Sequence, residues 1–142
     1  MSEPDSRAKA TAAYASERDA DEVRVLVVDD LPDAADTLAA VLEYDGYTVR
    51  VAHEGSEALA MIAEFQPHCV ILDVNMPGLD GNDLSAELRR RHGDDIVLIA
   101  ISGAQASDRR VGQTFERVDH YLKKPLDPEA LRRVLPPLVK RG

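Results

Sequence analysis

The sequence predicts an α/β fold, a doubly wound parallel sheet of five strands with helices on both faces. Short, continuous apolar runs recur at Val23–Val28 (apart from Arg24), Cys69–Leu72 and Ile96–Ile101, and such Val- and Ile-rich runs suit strands covered on both faces. Segments with apolar residues at helical spacing lie between them. Strands alternating with helices stack most naturally as a parallel sheet between two helical layers, and right-handed crossovers leave few strand orders open.

Each element has a local reason. The first strand, Val23–Val28, runs straight into Asp29 and Asp30, and Pro32 with Asp33 suits the first turn of a helix. Leu38, Val41 and Leu42 repeat at helical spacing until Asp45-Gly46, where glycine provides the stop. Tyr47–Ala52 is a short second strand, and Glu54-Gly55 turns the chain. Ser56 with Glu57 is placed to open a second helix, whose apolar face is Ala58, Leu59, Ile62 and Phe65 and which Pro67 ends. The third strand ends at Asp73, and Met76-Pro77-Gly78 breaks the chain after it. A third helix is expected over about Asn82–Arg91, with Leu84 and Leu88 at i,i+4 and a basic last turn, Arg89 to Arg91, that reads as a solvated face. Ile96–Ile101 is the fourth strand and leads into Ser102-Gly103. A weak helix over about Ser107–Arg117 has only Val111 and Phe115 as large apolar residues. Val118–Lys123 is the fifth strand, and Asp127-Pro128-Glu129 starts a last helix whose apolar face is Leu131, Val134, Leu135 and Leu138, interrupted near its end by Pro136-Pro137.

With 142 residues, 44% of them apolar, the chain suffices for one core, expected over 23–140, preceded by a disordered extension over 1–22 rich in Ala, Ser, Asp and Glu. A formal net charge of −9 argues against direct binding to nucleic acid or to an anionic membrane. The lone Cys69 sits in an apolar run and reads as an inert buried thiol. No apolar segment approaches a membrane span or a secretory leader, which points to a cytoplasmic protein. His53, His68, His92 and His120 are scattered over loops and element edges and share no metal-ligand spacing.

The strand ends carry the chemistry. In an open parallel sheet the carboxyl ends of the strands share one edge, and ligands bind just beyond it. The first strand ends in Asp29-Asp30, the third in Asp73 and the fourth in Ser102, and Lys124-Pro125 follows the fifth. Singly, each group has a plain structural account: an Asp pair can cap a helix, Asp73 can cap the loop toward Pro77, and Ser-Gly is a common turn pair. Chance capping explains poorly why four separate strand ends all supply a group suited to metal or phosphate chemistry. Three clustered carboxylates repel one another, and a hard divalent cation with oxygen ligands relieves this; Mg2+ suits a site of few carboxylates, carbonyls and water. Lys124 adds a positive charge and Ser102 a hydroxyl donor. In such a pocket Asp73 is the candidate nucleophile toward a phosphoryl group, with Asp29 and Asp30 holding the metal.

In this order and at these spacings, Asp29-Asp30, Asp73 with Met76-Pro77-Gly78 and Asp80-Gly81, Ser102, and Lys124-Pro125 after Tyr121-Leu122 make the stretch from about Val23 to Val139 resemble the receiver domain of two-component response regulators. The resemblance implies a flavodoxin-like, three-layer α/β/α fold with strand order 2-1-3-4-5 and five helices. It implies that Asp73 is the phosphorylated aspartate and that Asp30 and Asp73 bind Mg2+ directly, with Mn2+ as a substitute. The backbone carbonyl of Asn75 becomes a further protein ligand, and Asp29 acts through water. Ser102 and Lys124 hold phosphoryl oxygens. The implied phosphoryl donor is a sensor histidine kinase or a phosphotransfer protein; transfer and slow hydrolysis are catalysed by the receiver itself. The ring of Tyr121 is the implied switch, turning inward as Ser102 moves toward the phosphate. The output face is then the fourth helix, fifth strand and fifth helix, read by a downstream protein or by a second copy in a homodimer.

Some positions depart from the family pattern. The family usually has glycine near Arg117, where this loop reads Arg117-Val118-Asp119-His120, Leu126 replaces a phenylalanine, and the small residues Asn75 and Ala104 leave access to the phosphoryl site open. Two other functions fit less well. A phosphatase of the haloacid dehalogenase type also uses an aspartate nucleophile and Mg2+, but needs a second acid where Asn75 stands and a cap domain for which the chain has no room. A receiver-like interaction module that is never phosphorylated would not need the complete acidic, hydroxyl and lysine set.

Overall fold

Five strands and four helices alternate along residues 22–74, 81–103 and 117–138, which the structure, a computed structural model, describes. In chain order they are β1 (Arg24–Val28), α1 (Pro32–Asp45), β2 (Thr48–Ala52), α2 (Gly55–Phe65), β3 (Cys69–Asp73), α3 (Gly81–His92), β4 (Val97–Ser102), β5 (His120–Lys123) and α4 (Pro128–Val134). All neighbours pair in parallel, in the order β2-β1-β3-β4-β5, the order the resemblance implies. The expectations for residues 1–21, for Asn75 and the Met76-Pro77-Gly78 turn, for Ala104, for the helix over 107–116 and for 139–142 lie outside the described residues. Among the described residues no helix is long and apolar enough to cross a membrane.

Strand alternation builds two apolar layers. Val25, Val27, Cys69, Ile71, Ile99 and Ile101 share one face of the sheet and pack with Ala35 and Leu42 of α1 and Leu131 of α4. Leu26, Val28, Val70, Leu72, Leu98 and Ala100 take the other face, against Ala58, Ile62 and Phe65 of α2 and Leu84 and Leu88 of α3. The central strands are therefore covered on both sides, which is why they read as unbroken apolar runs. β2, at the edge, instead alternates exposed and half-buried residues. Fully burying a Val, Leu or Ile contributes roughly 1.5–3 kcal/mol, against about 0–1 kcal/mol for an exposed ion pair. The two layers, rather than surface charges, therefore hold the fold.

Some boundaries differ from the sequence expectation. α2 starts at Gly55 rather than Ser56, because Glu57 reaches back to accept the His53 N–H at 2.7 Å and closes the first turn from inside the helix. α4 stops at Val134: Leu135 is extended, as the residue before a proline prefers. Leu135 and Leu138 still pack into the layer over α1, but from outside the helix. The segment after α4 is tied down by Tyr47, whose hydroxyl donates to the Pro136 carbonyl at 2.8 Å, while Arg132 pairs with Asp45 at 3.0 Å.

The charged residues near strand starts are more structural than their sequence context suggests. Arg24 donates Nε to the carbonyls of Phe65 and Gln66 at the C-terminal end of α2, both at 2.9 Å, where a cation suits the unpaired carbonyls. His68 accepts the Arg24 N–H on Nδ1 at 3.0 Å, extending the β1–β3 ladder. Arg90 and Arg91 do lie on a solvated face, both bonded to Glu87. Arg89 does not: it is a correction to that reading. Its guanidinium donates to the carbonyls of Arg117 (2.6 Å), Gly93 (2.8 Å) and Ile96 (3.1 Å) and to Asp119 Oδ2 (2.9 Å). Asp119 Oδ2 in turn accepts the Leu98 N–H at 2.8 Å. This joins the α3–β4 loop to the approach to β5.

Two stability predictions follow from this geometry. Gly46 caps α1 at φ 114°, donating to Glu43, and a Cβ there would lie 3.2 Å from Leu138 Cδ1. Gly46→Ala should lower the unfolding free energy by roughly 1 kcal/mol or more, read as a lower urea midpoint at unchanged slope. For Asp119, burial raises the carboxyl pKa, but the Leu98 N–H and the Arg89 guanidinium outweigh it and hold the group below the usual aspartate value of 3.8. A depressed folded value gives stability that is complete above the unfolded pKa and lost as pH falls through the folded one. Asp119→Asn should cost up to about 1 kcal/mol at neutral pH. The urea midpoints of variant and wild type should converge below about pH 3.8; a gap that stays constant into that range would mean the charge is not responsible.

Candidate functional site

The carboxyl ends of β1, β3, β4 and β5 form one edge of the sheet, since all strands run the same way. Asp29 and Asp30 follow β1 directly, and both are half-buried. Neither is the N-cap of α1: that position is Leu31, which makes no side-chain cap, and Pro32 occupies the first turn. Asp29 Oδ1 accepts the Leu31 N–H at 3.0 Å. This local turn bond accounts for one oxygen of Asp29, and capping gives no reason for Asp30.

Asp73 ends β3, two places after Ile71 and therefore on the face covered by α1 and α4. It is 6% exposed. The ladder continues past it, with the Val74 N–H donating to the Ile101 carbonyl at 3.0 Å. Ser102 ends the adjoining strand and is fully buried. Its carbonyl accepts the Lys124 N–H at 3.1 Å, which sets Lys124 beside β4 at the same edge. The Lys124–Pro125 peptide is cis.

These elements bring the charged groups together. Lys124 Nζ donates to Asp73 Oδ2 at 3.0 Å. One carboxylate oxygen each from Asp29, Asp30 and Asp73 lies within 4.8 Å of the others. Burial, followed by the charges of Asp73 and Asp30, raises the pKa of Asp29 against the opposing pull of the Leu31 N–H and the Lys124 ammonium. Burial pulls Lys124 down, but the hydrogen bond and charge of Asp73, with Asp29 and Asp30 behind it, outweigh this and raise its pKa. Formally, three carboxylates and one ammonium leave two negative charges over. The oxygen-only carboxylate set is a hard donor set, and its excess charge matches a divalent cation such as Mg2+ or Mn2+.

Of the residues singled out in the sequence, Asp29, Asp30, Asp73 and Lys124 converge, and Ser102 ends the strand between Asp73 and Lys124. Asn75 lies outside the described residues. Tyr121 is separate: half-buried on β5, it packs against the apolar layer over α2 and α3, across the sheet from Asp73. Beside the acidic cluster lies a cavity of about 540 Å³, walled by Leu38 and Val41 of α1 and by Ile101, Pro125 and Leu126, with Asp29 and Lys124 at its polar end. Sequence reasoning also missed His53, whose Nδ1 is 3.2 Å from the Asp29 carbonyl oxygen. No spacing rule links a histidine after β2 to a loop after β1.

Comparisons with known proteins agree with this geometry. A family model described as the response regulator receiver domain matches residues 25–135. The response regulator MprA of Mycobacterium ulcerans (strain Agy99) is 40% identical over 119 residues, which make up 84% of this chain and 51% of that protein. The chain thus spans about half the length of the curated relatives it matches. Among solved structures, a response regulator from Burkholderia pseudomallei, with a phosphorylated aspartic acid, calcium ion and citrate, superposes with a TM-score of 0.72 at 31% identity, covering 81% of this chain and 67% of that one. The response regulator TrrA from Thermotoga maritima, in complex with Mg2+-BeF, superposes with a TM-score of 0.67 at 29% identity, covering 80% and 99%. The matched segment contains every strand but the first residue of β1, and the shared sheet order and acidic edge go with it: the chain belongs to the response regulator receiver-domain family, the phosphorylation-based modules of two-component signalling.

Proposed function

We propose that this chain accepts a phosphoryl group on Asp73 in a Mg2+-dependent step and passes the resulting change to a protein partner. The observation that carries the reading is the contact of Lys124 Nζ with Asp73 Oδ2 at 3.0 Å, inside a carboxylate cluster with Asp29 and Asp30. The phosphorylated aspartic acid of the Burkholderia pseudomallei relative and the Mg2+-BeF of TrrA support it. The receiver unit is taken as 23–140, with 1–22 as an extension.

In the step, a carboxylate oxygen of Asp73 bonds to phosphorus as the donor's P–N bond (phosphohistidine) or P–O bond (acetyl phosphate) breaks. The electron pair leaves with the donor: the histidine nitrogen takes a proton from solvent, whereas acetate departs as the carboxylate. Asp29, Asp30 and Asp73, with the Asn75 carbonyl, would hold Mg2+ or Mn2+, which would supply positive charge to offset the negative charge of the reacting groups. Lys124 transfers its hydrogen bond from Asp73 Oδ2 to a phosphoryl oxygen, conserving its charge pairing. The Ser102 hydroxyl donates to a second phosphoryl oxygen, and its movement couples to Tyr121 through β4 and β5, which pair at Ala100↔Tyr121 and Ser102↔Lys123. The donor is a sensor histidine kinase or phosphotransfer protein. The reader is a downstream protein, or a second copy, at the face that includes β5 and α4.

Incubation with acetyl phosphate and Mg2+ should add one phosphoryl mass to the wild type and none to Asp73→Asn, by intact-mass spectrometry. Lys124→Ala should slow formation of the adduct by about 100-fold or more. A wild type that stays unmodified under several conditions would sink the reading, and rapid turnover of ordinary phosphomonoesters would favour a phosphatase. Mg2+ at a hundred times its Kd should raise the unfolding free energy of the wild type by about 2.7 kcal/mol, and by much less in Asp30→Asn, measured by urea unfolding with and without EDTA.

A further inference from the structure

We infer that His53 is a positioning residue for the acidic loop: its imidazole fixes the peptide between Asp29 and Asp30 and so sets where the two carboxylates stand. The inference rests on the reading of Asp29, Asp30 and Asp73 as a cation site. The last backbone bond between the β1 and β2 sides is the Asp29 N–H to the Ala52 carbonyl at 3.0 Å. Past it, the Asp29 carbonyl is met by a side chain, His53 Nδ1 at 3.2 Å. A carbonyl oxygen only accepts, so Nδ1 carries the proton.

That carbonyl belongs to the peptide plane leading into Asp30. Holding its oxygen removes rotation of the plane that would swing Asp30 relative to Asp29 and Asp73. His53 is itself anchored, because its backbone N–H donates to Glu57 Oε1 of α2 at 2.7 Å. Position is thus handed from α2 through Glu57 and His53 to the Asp29 carbonyl. On the other side of the loop, the Leu31 N–H holds Asp29 Oδ1 at 3.0 Å. Asp30 carries no such direct restraint among the bonds described, which makes the orientation of its preceding peptide the main local control on it.

The test is Mg2+ titration calorimetry on the full chain for wild type, His53→Ala, His53→Leu and His53→Asn. Asn places an amide donor near the position of the imidazole Nδ1; Ala and Leu have none. Outer-shell partners of metal ligands typically contribute about 10–100-fold in affinity. His53 is exposed, so water competes for its bond, and a smaller loss of about three- to tenfold is expected in Ala and Leu. The Asn variant should stay within about twofold of wild type. In the metal-free protein, exchange of the Leu31 amide should speed up in Ala and Leu but not in Asn, with urea midpoints in EDTA unchanged. Wild-type affinity in both Ala and Leu, or an Asn variant as weak as they are, would overturn the role of His53. Absence of Mg2+ binding by the wild type would instead overturn the acidic-site reading itself.

Discussion

Three carboxylates gathered at one edge of a parallel sheet repel one another, and the site exists because the fold holds them there regardless. Lys124 offsets part of the repulsion through its ion pair with the buried Asp73. Such a pair is weak evidence of stability, because taking both charges out of water costs about as much as their attraction returns. Its value lies in poise. The excess negative charge favours a cation, and the ammonium is already hydrogen-bonded to an oxygen of Asp73. A site built for stability would have replaced these groups with apolar ones.

The two edges of the sheet are treated differently. At the amino edge, charged side chains are spent on backbone: Arg24 on the end of α2, His68 on the β1–β3 ladder, Arg89 and Asp119 on the entries to β4 and β5. Those bonds satisfy carbonyls and amides that the turns leave unpaired. At the carboxyl edge, Asp30, Asp73 and Lys124 are aimed at one another instead. Anchoring one edge makes the strands a fixed frame for the charged groups at the other. Asp73 and Tyr121 lie toward opposite apolar layers, so the proposed coupling has to pass through the sheet at Ser102 and its neighbours rather than over its surface.

The departures from the family pattern find partial accounts here. The loop containing Arg117 is shaped by Arg89, which takes the Arg117 carbonyl and the Asp119 carboxylate together. A glycine is not required where a side chain from another helix holds the turn. Leu126 joins the wall of the cavity beside the acidic cluster, alongside Leu38 and Val41.

What the sequence determined alone was everything that depends on local pattern plus one topological rule. Burial on both faces leaves an unbroken apolar run, amphipathic helices repeat their apolar residues, and prolines and glycines punctuate them, so the order of elements was legible. Parallel strands put all their carboxyl ends on one edge, so the gathering of Asp29, Asp30, Asp73, Ser102 and Lys124 was legible in the sequence. The tertiary structure decided the contacts that join residues distant in the chain. Arg89 looked like one of three solvated arginines, because nothing local distinguishes the one that meets Asp119, thirty residues on. The apolar residues after α4 were legible as core but not as non-helical, since their burial against α1 survives the break at Pro136. His53 looked like a surface histidine, because its partner is a backbone carbonyl, and a carbonyl has no signature in a sequence.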